Sequence, residues 1–302
     1  MKCESERSGL KHRDEPYEVI GTKWEVFSYF KLHASYFALP VLWAAVIAVF
    51  CMTPAVGGTD PPAVEPVEVT NCPRPALETL HYEFGWNGIA AAVAKIHISQ
   101  EMQGNDPVIH IKGEARTIGL VRRMWKMNDQ MEVWVHPATL RPFRVRIHRV
   151  EAGTVYRTSI SFFPKKKTAS IVNVKGKKIK KKEIKYGNAY DPLTLILVVR
   201  CLDFKVGRPV TFDVLESKRI YRAVFDVMAE EEIEVEAGRY NAFKILPSFY
   251  RLTDDGKIKK DDSEKVEEVF MWVSADPQRH LLKVKSKVFV GSVYGELTGI
   301  ER

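Results

Sequence analysis

From Leu80 to Thr298 the dominant period of apolar side chains is two, and that period suits one kind of structure, strands with a single buried face. Leu80, Tyr82, Phe84 and Trp86 alternate with their neighbours, and Ala90, Ala92, Ala94, Ile96 and Ile98 repeat the pattern. Asn87-Gly88 between them suits a two-residue hairpin turn, because both residues tolerate positive φ. Alternation predicts further strands at Val108–Lys112, Met131–Val135, Phe143–Ile147, Val155–Phe163, Ser170–Val174 and Ile220–Met228. It predicts others at Ile233–Val235, Phe243–Tyr250, Val269–Val273, Leu282–Val290 and Val293–Thr298. Turn residues such as Glu151-Ala152-Gly153, Lys175-Gly176-Lys177 and Glu236-Ala237-Gly238 separate many of them. The expected fold is mainly β, an antiparallel meander.

One run breaks the period. Leu193–Leu202 is apolar on nearly every side and follows Asp191-Pro192, an N-cap residue and a first-turn proline. Its β-branched residues leave a buried strand as the other reading. A helix apolar all round must be enclosed, so the meander is expected to form a strongly curved sheet or incomplete barrel around one central apolar helix. A shorter helical turn is expected at Ile118–Trp125.

Ahead of this domain, residues 34–59 carry no Lys, Arg or Glu, with an apolar centre at Tyr36–Met52. At ~1.5 Å per residue that centre makes a helix of roughly 25 Å, just short of a ~30 Å hydrocarbon core, and Ala34, Ser35 and Thr53 extend it. Residues 34–53 are read as a transmembrane signal-anchor or as a signal peptide; for cleavage, Ala55 and Gly57 place small residues at −3 and −1 of a cut before Gly58. Bulky Phe50 argues against a lipoprotein site at Cys51. Lys23 and Lys31 precede the span and no basic residue follows before Arg74, which puts residues 1–33 in the cytoplasm as an N-terminal arm. Residues 54–76, rich in proline, read as a linker and residues 77–302 as an extracytoplasmic β domain. The protein is therefore expected in the inner membrane with its domain in the periplasm, or secreted to the periplasm.

The formal net charge of +8 belongs to the part outside, because the arm's six basic and six acidic residues cancel. Arg144 and Arg146 alternate with Phe143, Val145 and Ile147, while Lys283, Lys285 and Lys287 alternate with Leu282 and Val284. These five residues are the candidate ligand-binding basic face, suited to anionic lipid or glycan. Ten lysines and one acid between Lys165 and Lys185 serve either the same purpose or the protection of a sheet edge. Sparse interleaved aromatics and the location argue against nucleic acid. Cys72 and Cys201, both in an oxidising compartment on this topology, form the candidate disulfide.

The sequence holds no phosphate-cradling Gly-Lys-Ser/Thr loop, nucleophile elbow, paired-cysteine zinc spacing or His-Glu-x-x-His helix. His97, His110 and His148 fall on the polar faces of their strands and read as solvated surface. No catalytic residue, metal site or cofactor is predicted, and the protein is not expected to be an enzyme.

Several stretches, in order, resemble a bacterial family, the domain of unknown function 3108. They are Leu80–Ile89, Ala115–Gly119 with Asp129, Pro137–Pro142, Tyr190–Arg200 with Leu202-Asp203 and Gly207, Glu232 with Glu236–Tyr240, and Trp272–Asp276. Ala91-Ala92 stands where a glycine is expected in that family, which bears on the local bend. The resemblance implies a secreted or envelope-anchored β domain and no activity. The resulting expectation is an envelope-associated binding module for an anionic or amphipathic envelope molecule, lipid or lipid-linked glycan. The alternative is a structural or assembly protein that docks a protein partner without a ligand cavity.

Overall fold

The computed structural model describes residues 65–69, 72, 75–259, 269–287 and 291–302. The predicted arm and span, residues 1–53, and most of the predicted linker lie outside the described residues. Among the described residues no helix is long and apolar enough to cross a membrane.

The first meander comprises β1 (Glu78–Trp86), β2 (Ile89–Gln103), β3 (Asp106–Thr117), β4 (Met127–Val135) and β5 (Pro142–Glu151). It continues through β6 (Thr154–Phe163), β7 (Thr168–Lys175) and β8 (Lys178–Lys185), with a short helix α1 (Gly119–Met124) between β3 and β4. A second short helix, α2 (Leu195–Val198), precedes the second meander, β9 (Val210–Glu216), β10 (Arg219–Val235) and β11 (Gly238–Arg251). That meander ends with β12 (Val269–Ser274), β13 (Leu281–Lys287) and β14 (Ser292–Glu301). The fourteen strands among the described residues form one antiparallel sheet in the order β8-β7-β6-β5-β4-β3-β2-β1-β14-β13-β12-β11-β10-β9.

The sheet is open, which corrects the expected strongly curved or barrel-like form: it is neither closed nor strongly curled. Closure needs a ladder between β8 and β9, and both are edges. In its place the chain after β8 reaches β9 through a single parallel bridge, Tyr190 to Val214. β8 exposes seven of its eight residues and carries lysines on both faces, so neither face is apolar enough to be covered.

The hairpin β1–β2 turns at Asn87-Gly88 with φ of 49° and 78°, the left-handed pair that this turn requires. Register shifts between Phe84 and Gly85, whose partners are Ala92 and Ala90, so Ala91 is a bulge. Its carbonyl accepts a hydrogen bond from the Ile118 N–H at 2.9 Å, where the chain enters α1.

The buried run is helical only over Leu195–Val198 and continues as a 3-10 turn over Val199–Cys201. Asp191 opens it: its carboxylate accepts the N–H groups of Leu193 and Thr194 at 3.0 and 3.1 Å and the Thr194 hydroxyl. Leu195, Ile196, Leu197 and Val198 are all buried and belong to the same hydrophobic cluster as Val133 and Ile171 of the first meander and Phe212 and Val273 of the second. This cluster is the domain's core, and it defines the core face of the sheet.

Candidate functional site

The five predicted basic residues fall into two groups. Arg144 and Arg146 lie on β5 and Lys283, Lys285 and Lys287 on β13, with β4, β3, β2, β1 and β14 between them. Six strand spacings of ~4.8 Å separate the groups by roughly 29 Å along the sheet.

The two groups have different surroundings. The Arg144 and Arg146 guanidinium groups lie 5.8 and 5.2 Å from the Trp134 ring, which stacks on His110 at 4.6 Å. Glu101 accepts from the Trp134 indole at 3.1 Å and sits 2.6 Å from His110, whose other ring nitrogen is 3.4 Å from Glu132. His110 is therefore buried, although its strand position is on the polar face as expected; Trp134 covers it, which alternation alone does not register. Lys283 donates to Glu296 at 2.7 Å and shares a cleft of about 280 Å³ with Glu83, Glu236, Tyr294 and Thr298. With three glutamates to one lysine, that cleft is no place for an anion. Lys285 and Lys287 are exposed.

An unforeseen group lies on the core face at the ends of β4 to β8. Strand pairing sets Asp129, Arg149, Tyr156, Lys175 and Lys178 side by side in one row. The next row reads Met131, Ile147, Thr158, Asn173 and Lys180, and the one after it Val133, Val145, Ile160, Ile171 and Lys182. The core face thus turns from apolar to polar toward these strand ends and toward the β8 edge. Arg149 and Lys175 flank the Tyr156 ring, with the guanidinium carbon 5.2 Å and the ammonium 4.8 Å from its centre. Each contact holds a cation in place. Glu151, 3.7 Å from Arg149, is nearly buried, and its Oε1 has no hydrogen-bond partner among the described residues.

Asp129 is 3 % exposed and accepts the Val150 N–H at 3.2 Å. Burial, reinforced by the Glu151 charge, pushes its carboxyl up to about 7, against the Val150 hydrogen bond and the Arg149 charge. Burial also raises Glu151, against the attraction of Arg149 and Lys175. Beyond them Lys178, Lys180, Lys181, Lys182 and Lys185 are exposed and pair with no carboxylate among the described residues. A signal for this group exists in the sequence: β7 places Ala169, Ile171, Asn173 and Lys175 on one face, apolar at one end and polar at the other.

Cys72 and Cys201 are joined by a disulfide, with Cα atoms 5.3 Å apart. The segment before Cys72 packs on the domain: Val67 donates to the Thr211 carbonyl at 2.7 Å, and the buried Val69 donates to the Tyr190 hydroxyl at 3.3 Å. Arg141 lies 4.2 Å from the Tyr190 ring centre and 3.6 Å from Glu68. A cleft of about 380 Å³ lies here, lined by residues that include Glu65, Glu68, Arg141, Asn188 and Asp213. Among the described residues no three His, Cys, Asp or Glu side chains are placed to hold a metal ion.

Residues 81–298 match a family described as Protein of unknown function (DUF3108). No curated protein matches the chain. Among solved structures, a β-barrel-like protein of the domain of unknown function DUF1849 from Brucella abortus aligns over 74 % of this chain and 96 % of its own, at 8 % identity and a TM-score of 0.47. A protein from Bacteroides fragilis, described as exported and YmcC-like in fold, aligns over 77 % and 99 % at 6 % identity and a TM-score of 0.30. One from Parabacteroides distasonis, described as a lipoprotein, aligns over 76 % and 97 % at 10 % identity and a TM-score of 0.29.

Proposed function

We propose that this chain, which belongs to the DUF3108 family over residues 81–298, is an envelope-associated module that binds an anionic envelope molecule by its charged end. The observation that carries this reading is the band of lysines on β8, exposed and without carboxylate partners among the described residues, whereas Lys283 and Lys244 face glutamates. Unpaired cations along one edge attract anions from a distance of about a Debye length. The buried side chains of α2 occupy the core, which favours recognition of a headgroup or glycan over enclosure of an acyl chain.

The location in this proposal is the periplasm, tethered to the inner membrane or released from it. The one-sided basic residues around residues 34–53 support it, and so does the Cys72–Cys201 disulfide, which persists in oxidising compartments. No enzymatic role is part of the proposal.

The test uses the full chain in nanodiscs of phosphatidylcholine, mixed with labelled vesicles of phosphatidylglycerol or of phosphatidylcholine. Capture of the anionic vesicles alone at 0.1 M salt, lost at 1 M as the Debye length falls from ~10 to ~3 Å, is the expected result. Equal capture of both kinds at both salt concentrations defeats the reading. The second reading, docking of a protein partner, rests on β8 as an exposed edge strand whose free backbone groups suit strand addition.

A further inference from the structure

We infer that the polar strand ends on the core face of β5 to β8 form a site for a phosphorylated saccharide, with phosphate between Arg149, Lys175 and Lys178 and sugar hydroxyls toward Glu151. This rests on the reading of the domain as a binder of anionic envelope molecules and names the place and the ligand class.

The charge across these strand ends decides the class. At the covered end stand Asp129 and, one row further out, Glu151; at the open end stand Lys175 and Lys178, with Lys180 one row in, all three exposed. A bare anion gains from the lysines and is repelled by Glu151. A neutral sugar gains hydrogen bonds from the carboxylate and leaves the lysines unused. A molecule with phosphate at one end and hydroxyl donors at the other complements both, and charge-assisted hydrogen bonds form at each end.

The arrangement is held ready before a ligand arrives. Arg149 is only 19 % exposed in its side chain, fixed between the Tyr156 ring and Glu151, so it loses little freedom on binding. Lys175, on the strand at the other side of Tyr156, lies 4.8 Å from the same ring centre. Thr158 and Asn173, hydrogen-bonded to each other at 2.7 Å, supply hydroxyl and amide groups one row in. The Oε1 of Glu151 faces the Arg149 charge at 3.7 Å but accepts no hydrogen bond among the described residues, so it can still take a donor.

Edge lysines also discourage sheet-to-sheet pairing, and that role alone would not require Arg149 to be locked against Tyr156 or a carboxylate to sit beside it. Asp129 lies beneath the site and faces Glu151, Arg149 and the Val150 N–H. Its protonation removes one negative charge from the covered end, so affinity for the phosphate is expected to rise as pH falls through about 7.

The test is calorimetric titration of the full chain in a neutral detergent with glucose 1-phosphate, glucose, inorganic phosphate, or phosphatidylglycerol vesicles. Glucose 1-phosphate is expected to bind at least about tenfold more tightly than inorganic phosphate or glucose. Lys175→Gln combined with Lys178→Gln, at exposed positions that leave the core untouched, is expected to weaken it about tenfold, while Lys285→Gln combined with Lys287→Gln leaves it unchanged. Glu151→Gln is expected to bring glucose 1-phosphate and inorganic phosphate to similar affinities. Equal affinity for the two in the wild type overturns the ligand class and keeps the anion-binding reading. Binding indifferent to Lys175 and Lys178 overturns the site, vesicle binding alone assigns it to lipid, and no binding in any arm overturns both proposals.

Discussion

Arg200 and Glu78, 122 positions apart in the chain, meet inside the domain with Nη2 and Oε1 2.6 Å apart, at side-chain exposures of 5 % and 0 %. The His280 Nε2 lies 3.0 Å from the same oxygen. The second Glu78 oxygen, two Arg200 nitrogens and the His280 Nδ1 have no hydrogen-bond partner among the described residues. Burial alone raises the Glu78 carboxyl, but the hydrogen bond to His280 and the Arg200 charge together hold it below its ordinary value of 4.5.

Removing the carboxylate charge leaves Arg200 buried without a counterion. Glu78→Gln is therefore expected to cost about 3–5 kcal/mol at pH 7, measured by urea unfolding. A depressed carboxyl contributes stability above 4.5 that is lost as pH falls through the folded value, so the gap between wild type and variant should narrow below pH 4.5. A cost under about 1 kcal/mol would show that water reaches Arg200.

The Cys72–Cys201 bond closes a loop of sequence separation 129. Reduction, or Cys72→Ser, is expected to cost about 2–5 kcal/mol, with the chain-entropy account near the upper end for so long a loop. Thermal melting with and without dithiothreitol measures it; coincident melts would mean that the segment around Val69 holds without the bond.

Leu195 is 4 % exposed and Leu197 1 % exposed. Leu197→Ala should cost about 2–5 kcal/mol through lost burial and the cavity left behind, and Leu195→Asp should prevent folding by placing an unpaired charge in the core. Circular dichroism melts decide, and a Leu195→Asp protein that melts within a few degrees of wild type would remove α2 from the core.

Asp129 makes the opposite pH forecast to Glu78. Its folded value of about 7 lies above its ordinary 3.8, so the stability it contributes is present below 3.8 and lost as pH rises through 7. Asp129→Asn, which keeps an acceptor for the Val150 N–H, should raise the melting temperature above pH 7 and change little near pH 4, at ~1.4 kcal/mol per pKa unit at most. A variant that melts lower at pH 8 would mean that the charge is favourable where it stands.

Most strands were legible because one side faces the core and the other water. β10 was expected as two pieces, Ile220–Met228 and Ile233–Val235, since Glu230, Glu231 and Glu232 interrupt the pattern; pairing with β11 carries the strand through them, and the Trp272 indole donates to Glu231 at 2.7 Å. The two strands not foreseen, β8 and β9, are the edges of the sheet. An edge is set by what fails to pair with it, and the lysines of β8 follow no apolar period. Alternation places each candidate basic residue on a face of its own strand, while the roughly 29 Å between the two groups comes from strand order, a property of the whole sheet. The row from Asp129 to Lys178 is not visible in the sequence because β4 to β7 each place one polar residue of it at a position that alternation assigns to the core, and only strand order brings them together.

Among the described strands, every pairing but one joins neighbours along the chain; the exception is β1 with β14, which sets Thr79 against Glu301 and Trp86 against Val293. Hairpins between chain neighbours close in microseconds, whereas the β1–β14 ladder must bring together segments more than two hundred residues apart. The order of assembly is thereby biased: two independent runs of hairpins form first, and the join between them comes late. The same join lays the two ends of the domain side by side, so a short peptide linking residue 302 back to residue 78, with new termini cut at an exposed turn such as Gly176, turns the slowest pairing of the native chain into an ordinary hairpin.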